Sequence, residues 1–344
     1  MIFESSSAVT AKVKTRFGKS LNAGDYKKLL SCHSIAQVVS QLKSTYKYKE
    51  ILKSINETSV HRRQLEQVLR QNLFEEFAVI CRYEIGVTAH FSRFIVRDFE
   101  IQQIIHFLTL LVAGNHEDYI LSLPSYFEKH TDIDLAELAK AQNYEEFLSA
   151  LSKTPYQKLL RDFKPNEREI LDLTKIEDIL YIFIYQEMYD IIEEHAGKQE
   201  KAELTNIFDN IIDYNNLIRI IRLKKYYKMD KHEIKKFILP FGTLKESQIN
   251  ILCDSNSADD VVNIMKTFPQ GKLIISLEYT HIGEIYLRAR YNICRHNLAI
   301  STTPSVTAIS YYFIMQTELL NIIKIVEGAR YNFDREKLNT MLIY

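Results

Sequence analysis

The 344 residues include 44 Lys or Arg and 44 Asp or Glu, and 46% of them are apolar. The zero balance excludes the global basic excess that draws a chain to nucleic acid or anionic lipid, while the apolar share suffices for a sizeable core. With 9 glycines and 6 prolines in text rich in Leu, Ile, Lys, Glu and Tyr, the composition predicts an all-α fold.

The opening stretch, MIFESSSAVTAKVKTRFGKS, lacks the apolar region of a secretory signal, and the longest unbroken apolar run anywhere, Ile179 to Tyr185, is far short of the roughly 18 residues of a membrane span. Neither secretion nor insertion is expected. A short helix, GDYKKLLS, then ends near Leu29, and SIAQVVSQLKSTYKYKEIL begins at Ser34. Ser34 stands three residues before Gln37, a capping arrangement, and Val38, Val39 and Leu42 form one apolar face.

The same text returns twice. DIDLAELAK, with Leu138, precedes NYEEFLSALSKTPYQKLL, where Asn143 and Glu146 take the capping positions and Phe147, Leu148 and Leu151 the apolar ones. ESQINILCD, with Leu252, precedes SADDVVNIMKTFPQGKLI, with Ser257 and Asp260 as the cap and Val261, Val262 and Met265 as the face. A second motif lies between the copies: EIQQII at Glu100, NLIRII at Asn216 and ELLNII at Glu318, spaced by about 100 to 116 residues. One shared period points to three similar multi-helix lobes, residues 1–99, 100–215 and 216–344. The third ELLNII helix, with RYNFDREKLNTMLI after it, starts what would be a fourth lobe and stops. We expect it to return as a closing helix for the first lobe, giving a funnel- or ring-like body.

Between the copies, TKIEDILYIFIYQEMYDIIEEH predicts a long helix capped by Thr174 with Glu177, with a broad apolar stripe from Ile176 to Ile192. Its end gathers Glu187, Asp190, Glu193, Glu194 and His195, but a carboxylate-bridged metal bundle needs Glu three residues before His, and Ile192 stands there. SADDVV has the look of a magnesium-holding aspartate motif, yet Asp260 is already accounted for by the Ser257 cap. The histidines are scattered and no nucleophile is singled out. Without GxxxxGK[ST] or GxGxxG, no glycine-amide phosphate cradle is expected. We assign no catalytic, cofactor or metal residues. Cys32, Cys81, Cys253 and Cys294 have no CxxC spacing and read as reduced, buried thiols.

Charge is uneven along the chain. Asp98 to Ala150 holds ten carboxylates against Lys129 and Lys140, and Tyr214 to Lys236 holds eight Lys or Arg against Asp230 and Glu233. The basic stretch interleaves tyrosines with cations, a pattern that also suits RNA, but the neutral chain argues against nucleic acid. We expect Arg219, Arg222, Lys224 and Lys225 to face an acidic partner.

DYKKLL with SIAQVVSQLKSTYKYKEIL near the start, DYNNLIRIIRLKKYY in the middle, and ISYYFIMQTELLNIIKIVEGARYN near the end together carry a family resemblance. Their order and spacing resemble the C-subunit family of archaeal and bacterial V-type (A-type) rotary ATPases, which is also the family of the d subunit of the eukaryotic V-ATPase. That resemblance implies a non-catalytic central-stalk part made of three helical lobes. Such a part sits peripherally at the cytoplasmic face of the membrane, held there only by its partners. It receives the central-shaft subunits, sits on the proteolipid rotor ring, and couples ATP turnover to proton or sodium transport. A free-standing helical scaffold or adaptor is the rival reading, and a metal- or diphosphate-dependent helical enzyme the third.

Overall fold

The computed structural model describes residues 2–82, 86–164 and 171–344, and every regular element among them is helical. The first helices are α1 (Ile2–Phe17), α2 (Ala23–Leu30), α3 (Ile35–Lys43), α4 (Tyr48–Ile51) and α5 (Arg62–Cys81). Next come α6 (Val87–Val112), α7 (Leu135–Lys140), α8 (Tyr144–Ala150), α9 (Tyr156–Leu160) and α10 (Leu173–His195). The remainder comprises α11 (Lys198–Lys225), α12 (Lys231–Lys235), α13 (Glu246–Asp254), α14 (Ala258–Thr267) and α15 (Lys272–Ser276), then α16 (Ile285–Ile300), α17 (Pro304–Tyr331) and α18 (Arg335–Thr340). Contacts divide the chain into two units, Met1–Ala89 with His195–Tyr344, and His90–Glu194.

In the first unit the long helix α17 is the spine. It is enclosed around its whole circumference over its first three turns, where every residue from Pro304 to Met315 is buried, as a helix surrounded by others requires. Helices α1, α3, α5, α11 and α16 pack on it, so the C-terminal part of the sequence forms the core for the N-terminal helices. The chain end is fastened to the same helix. The side-chain amide of Asn321 donates to the Ile343 carbonyl at 2.7 Å and accepts from the Ile343 N–H at 3.1 Å, while Tyr344 stacks on Tyr26 with centroids 4.3 Å apart.

The three capped helices start where the sequence places them. Gln37 N donates to Ser34 Oγ at 3.3 Å, Glu146 N to Asn143 Oδ1 at 3.0 Å and Asp260 N to Ser257 Oγ at 3.1 Å. The Gln37 and Glu146 side chains reach back one residue further than a capping box does, accepting from His33 N and Gln142 N. Below each cap the expected faces are buried, with Val38, Leu42, Phe147, Leu151, Val261 and Met265 fully enclosed and Leu148 only half-buried. Leu29, Leu138 and Leu252 are likewise fully buried.

Two expectations need correction. Helix α10 is capped by Asp172, whose Oδ1 accepts from Lys175 N at 3.1 Å, and not by Thr174, which lies inside the helix. A carboxylate at the cap satisfies an open amide and also meets the positive end of the helix dipole, an advantage the hydroxyl lacks. Of the cysteines, Cys81, Cys253 and Cys294 are buried but Cys32 is half-exposed, because α2 has ended and the chain is turning toward α3 at that point. Burial pushes the Cys294 thiol up to about 12, which keeps it protonated and unreactive.

Candidate interaction site

The second repeated motif turns out to carry buried polar anchors. In the His90–Glu194 unit, Glu100 on α6 is fully enclosed and accepts from Thr131 Oγ1 at 2.7 Å, Tyr156 Oη at 2.8 Å and Arg97 at 2.8 Å. In the other unit, Glu318 on α17 accepts from Leu21 N at 2.9 Å, Tyr48 Oη at 2.6 Å and Lys47 Nζ at 3.0 Å. Asn216 on α11 takes the same place in the motif and bonds both ways with the Leu239 backbone, at 2.9 and 3.1 Å. Each long helix thereby holds the loop that leads into, or follows, a pair of short helices. A buried carboxylate held by three donors on its two oxygens fixes geometry far more strictly than apolar packing alone.

Beside Asn216, Asp213 is enclosed and accepts from Thr243 N, Thr243 Oγ1 and Leu244 N at 2.7 to 3.1 Å. The close approach depends on Gly242, whose φ of +98° suits glycine, and a Cβ there would overlap the Asp213 carboxylate. Burial raises the Asp213 carboxyl above its ordinary value despite these donors. A raised folded value means that Asp213 favours the folded state most below its unfolded pKa, and that this contribution is lost as pH rises through the folded value. Asp213→Asn cannot titrate. In urea unfolding, going from about pH 4 to about pH 6, the stability difference is therefore expected to move toward the variant. A difference constant with pH would overturn this.

The end of α11 is the surface the sequence singled out. The helix stops because Lys228 adopts φ +54°, a left-handed turn that a lysine enters only under tertiary pressure, and Met229 N closes back on the Leu223 carbonyl. Asp230 then starts α12 with a reciprocal capping box to Glu233. The four predicted residues separate into two pairs. Arg219 donates to the Phe237 carbonyl at 3.2 Å and Lys224 to the Ser255 carbonyl at 2.7 Å, so both hold loops of their own chain. Arg222 and Lys225 are exposed and, three residues apart, share one helix face.

Two tyrosines complete that end. Tyr226 is 69% exposed and Tyr227 58%, and Lys225 Nζ lies 5.4 Å from the Tyr226 ring centre. Exposed tyrosines beside cations are what protein interfaces favour at their anchors. The interleaving of tyrosine and cation was visible in the sequence, but which of them face outward was not. An exposed ion pair, Lys231 with Asp254 at 3.0 Å, joins α12 to α13 nearby.

The acidic stretch is less uniform than its composition, since Glu100 lies inside while Glu117, Asp118, Glu128 and Asp132 are exposed. The candidate metal residues are used for other contacts: Glu187 meets Arg93 at 2.6 Å and Arg97 at 3.4 Å, and Asp190 accepts from Gln186 at 2.8 Å. Among the described residues no cluster of three or more His, Cys, Asp or Glu is arranged to hold a metal, and no helix is long and apolar enough to cross a membrane.

These features define an all-helical protein built on buried polar anchors, and comparison with known sequences supplies its family. The sequence model of the ATP synthase (C/AC39) subunit family matches residues 9–341, and the chain belongs to that family. Its relatives include the C subunit of the A-type ATP synthase of Pyrococcus abyssi, 21% identical over 330 residues that cover 93% of this chain and 86% of that protein. The C subunit of the A-type ATP synthase of Thermococcus onnurineus is 25% identical over 247 residues, covering 70% of this chain and 62% of that protein. That of Methanosphaera stadtmanae is 22% identical over 267 residues, covering 77% and 66%.

Proposed function

We propose that this chain is a non-catalytic central-stalk subunit of a V-type (A-type) rotary ATPase. It would act at the cytoplasmic face of the membrane, receiving the central-shaft subunits and sitting on the proteolipid rotor ring, so that ATP turnover is coupled to proton or sodium transport. The observation that carries this reading is the family match over residues 9–341, joined by relatives that are named as C subunits of A-type ATP synthases. Purification of the protein from its native membranes with mass spectrometry of what accompanies it tests the proposal. Recovery with ATPase head, shaft and ring subunits is expected, and an intact ATPase purified without this chain would overturn it.

Transmission of torque requires a stiff part, and the anchors at Glu100, Glu318 and Asn216 support that requirement by fixing short helices to long ones through buried hydrogen bonds. The reading includes three lobes, 1–99, 100–215 and 216–344, closed by α17. It is supported by the recurrence of cap and anchor at intervals of about 100 residues.

In this reading Arg222 and Lys225, with Tyr226 and Tyr227, meet an acidic partner surface. Reversing both charges, Arg222→Glu with Lys225→Glu, is expected to lower recovery of the partner subunits about tenfold at low salt while leaving the melting temperature unchanged. Unchanged recovery would remove this face from the interface. Arg219 and Lys224 are unsuitable for that test, because their reversal would break their bonds to Phe237 and Ser255.

A further inference from the structure

Where the N-terminal helices meet α16 and α17, a cavity of about 440 Å³ lies within the Met1–Ala89 and His195–Tyr344 unit. Four aromatic rings line it: Phe17 at the end of α1, Tyr26 in α2, Tyr291 in α16, and Tyr344. The hydroxyls of two are committed elsewhere, since Asn321 Nδ2 donates to Tyr26 Oη at 3.2 Å and Tyr344 Oη donates to Asn339 Oδ1 at 3.0 Å. Those walls offer ring surface.

Two charged side chains also border the cavity, and they differ in what already holds them. The buried Glu318 carboxylate is paired with Lys47 at 3.0 Å and takes the Leu21 N–H and the Tyr48 hydroxyl, so its charge is matched within the protein. Arg295 is exposed, and among the described residues no carboxylate lies within ion-pair distance of it. Its guanidinium carbon lies 6.0 Å from the centre of the Tyr291 ring. Burial raises the Tyr291 hydroxyl above its ordinary value despite that guanidinium, so the tyrosine stays neutral and supplies no counter-charge.

A ligand complementary to these walls has a flat aromatic body, because rings gain most from offset or edge contacts with other rings. One unmatched guanidinium calls for one anionic group, and the two oxygens of a carboxylate saturate an arginine fork. Polyphosphates and sugars bring more charge or more hydroxyls than one arginine satisfies, and polar groups left unpaired against rings cost free energy. A cation is repelled by Arg295, while the carboxylate that would attract it is already matched by Lys47. The volume lies within the roughly 300–1,000 Å³ of ligand sites.

We propose that this cavity binds a small aromatic carboxylate, with its ring among Phe17, Tyr26, Tyr291 and Tyr344 and its carboxylate on Arg295. The assignment goes beyond the stalk reading and does not depend on it. Naphthoate is titrated into the full chain by calorimetry, beside naphthalenemethanol, which has the same rings without the charge. One variant is Arg295→Gln, at an exposed position. A second, Ala23→Trp, sets an indole into the cavity from an exposed lining position at the start of α2, and the control is Arg222→Gln with Lys225→Gln on α11.

One naphthoate per chain is the expected result, bound about tenfold or more weakly by Arg295→Gln, not at all by Ala23→Trp, and unchanged in the control, since the arginine supplies a charge-assisted bond. Arg295→Gln should keep the wild-type melting temperature and the wild-type affinity for the alcohol, which separates loss of the charge from loss of the fold. The assignment is overturned if naphthoate does not bind, if the alcohol binds the wild type as tightly, if either cavity variant binds naphthoate as the wild type does, or if the control loses binding equally.

Discussion

Glu318→Ala is expected to destabilise the N-terminal helices by about 3–5 kcal/mol, the cost of removing one partner from a buried ion pair. The Lys47 and Glu318 side chains are 10% and 5% exposed, so water reaches neither well. Alanine would leave the Lys47 ammonium with Met315 Sδ and the face of the Tyr48 ring but no carboxylate, and would leave the Leu21 N–H and the Tyr48 hydroxyl without their acceptor. All three donors belong to the segment spanning α2 to α4 and its flanks, whereas Glu318 is in α17, so the damage should be local to that seam. Hydrogen exchange is the suitable measurement, with protection in α2–α4 falling by orders of magnitude while α13–α14 changes little. Glu318→Gln keeps the shape and one acceptor but turns an amide toward a donor, and is expected to lose about half as much. Equal exchange in wild type and Glu318→Ala would show that apolar packing alone holds the seam.

Gly271→Ala is expected to cost about 3 kcal/mol, from overlap that the surroundings cannot relieve. Its φ is ordinary at −90°, so conformational strain plays no part. The difficulty is space: a Cβ on Gly271 would overlap the Met265 carbonyl group and stand 3.0 Å from Lys266 N, all of it backbone at the end of α14. The turn cannot move away freely. Tyr214 Oη donates to the Gln270 carbonyl at 2.8 Å and Gln270 Nε2 to the Thr243 carbonyl at 3.2 Å, tying it to α11 and to the loop before α13. Gly328→Ala is the comparison, because there the clash is with the tip of the Leu338 side chain, which can change rotamer. Urea unfolding should place Gly271→Ala well below Gly328→Ala in midpoint, and equal midpoints would mean that the α14 turn yields as readily as a leucine methyl.

The sequence by itself determined the elements and their starts. Low glycine and proline with 3.6-residue periodicity specify helices, and Ser34, Asn143 and Ser257 mark three beginnings, because a cap is a local bond between residues three apart. Local rules failed at α10, where the Thr174 and Glu177 spacing marked a start two residues later than the one Asp172 caps. Leu29, Leu138 and Leu252 were legible as core for the same local reason, since apolar faces follow from helix geometry.

Tertiary structure decided what each polar residue does. Glu100 and Glu318 read as ordinary charges in helical text, and their role as enclosed anchors depends on Tyr156 and Tyr48, which lie 56 and 270 residues away in the chain. Arg219, Arg222, Lys224 and Lys225 form one basic run in sequence. The paths of the loops at Phe237 and Ser255 turn two of them inward and leave Arg222 and Lys225 exposed. Phe17 and Arg295 are brought to one cavity only because α1 and α16 both pack on α17. Helix formation and capping are short-range and therefore written in neighbouring residues. Desolvation, charge pairing and the meeting of distant side chains are set by packing, which no local pattern records.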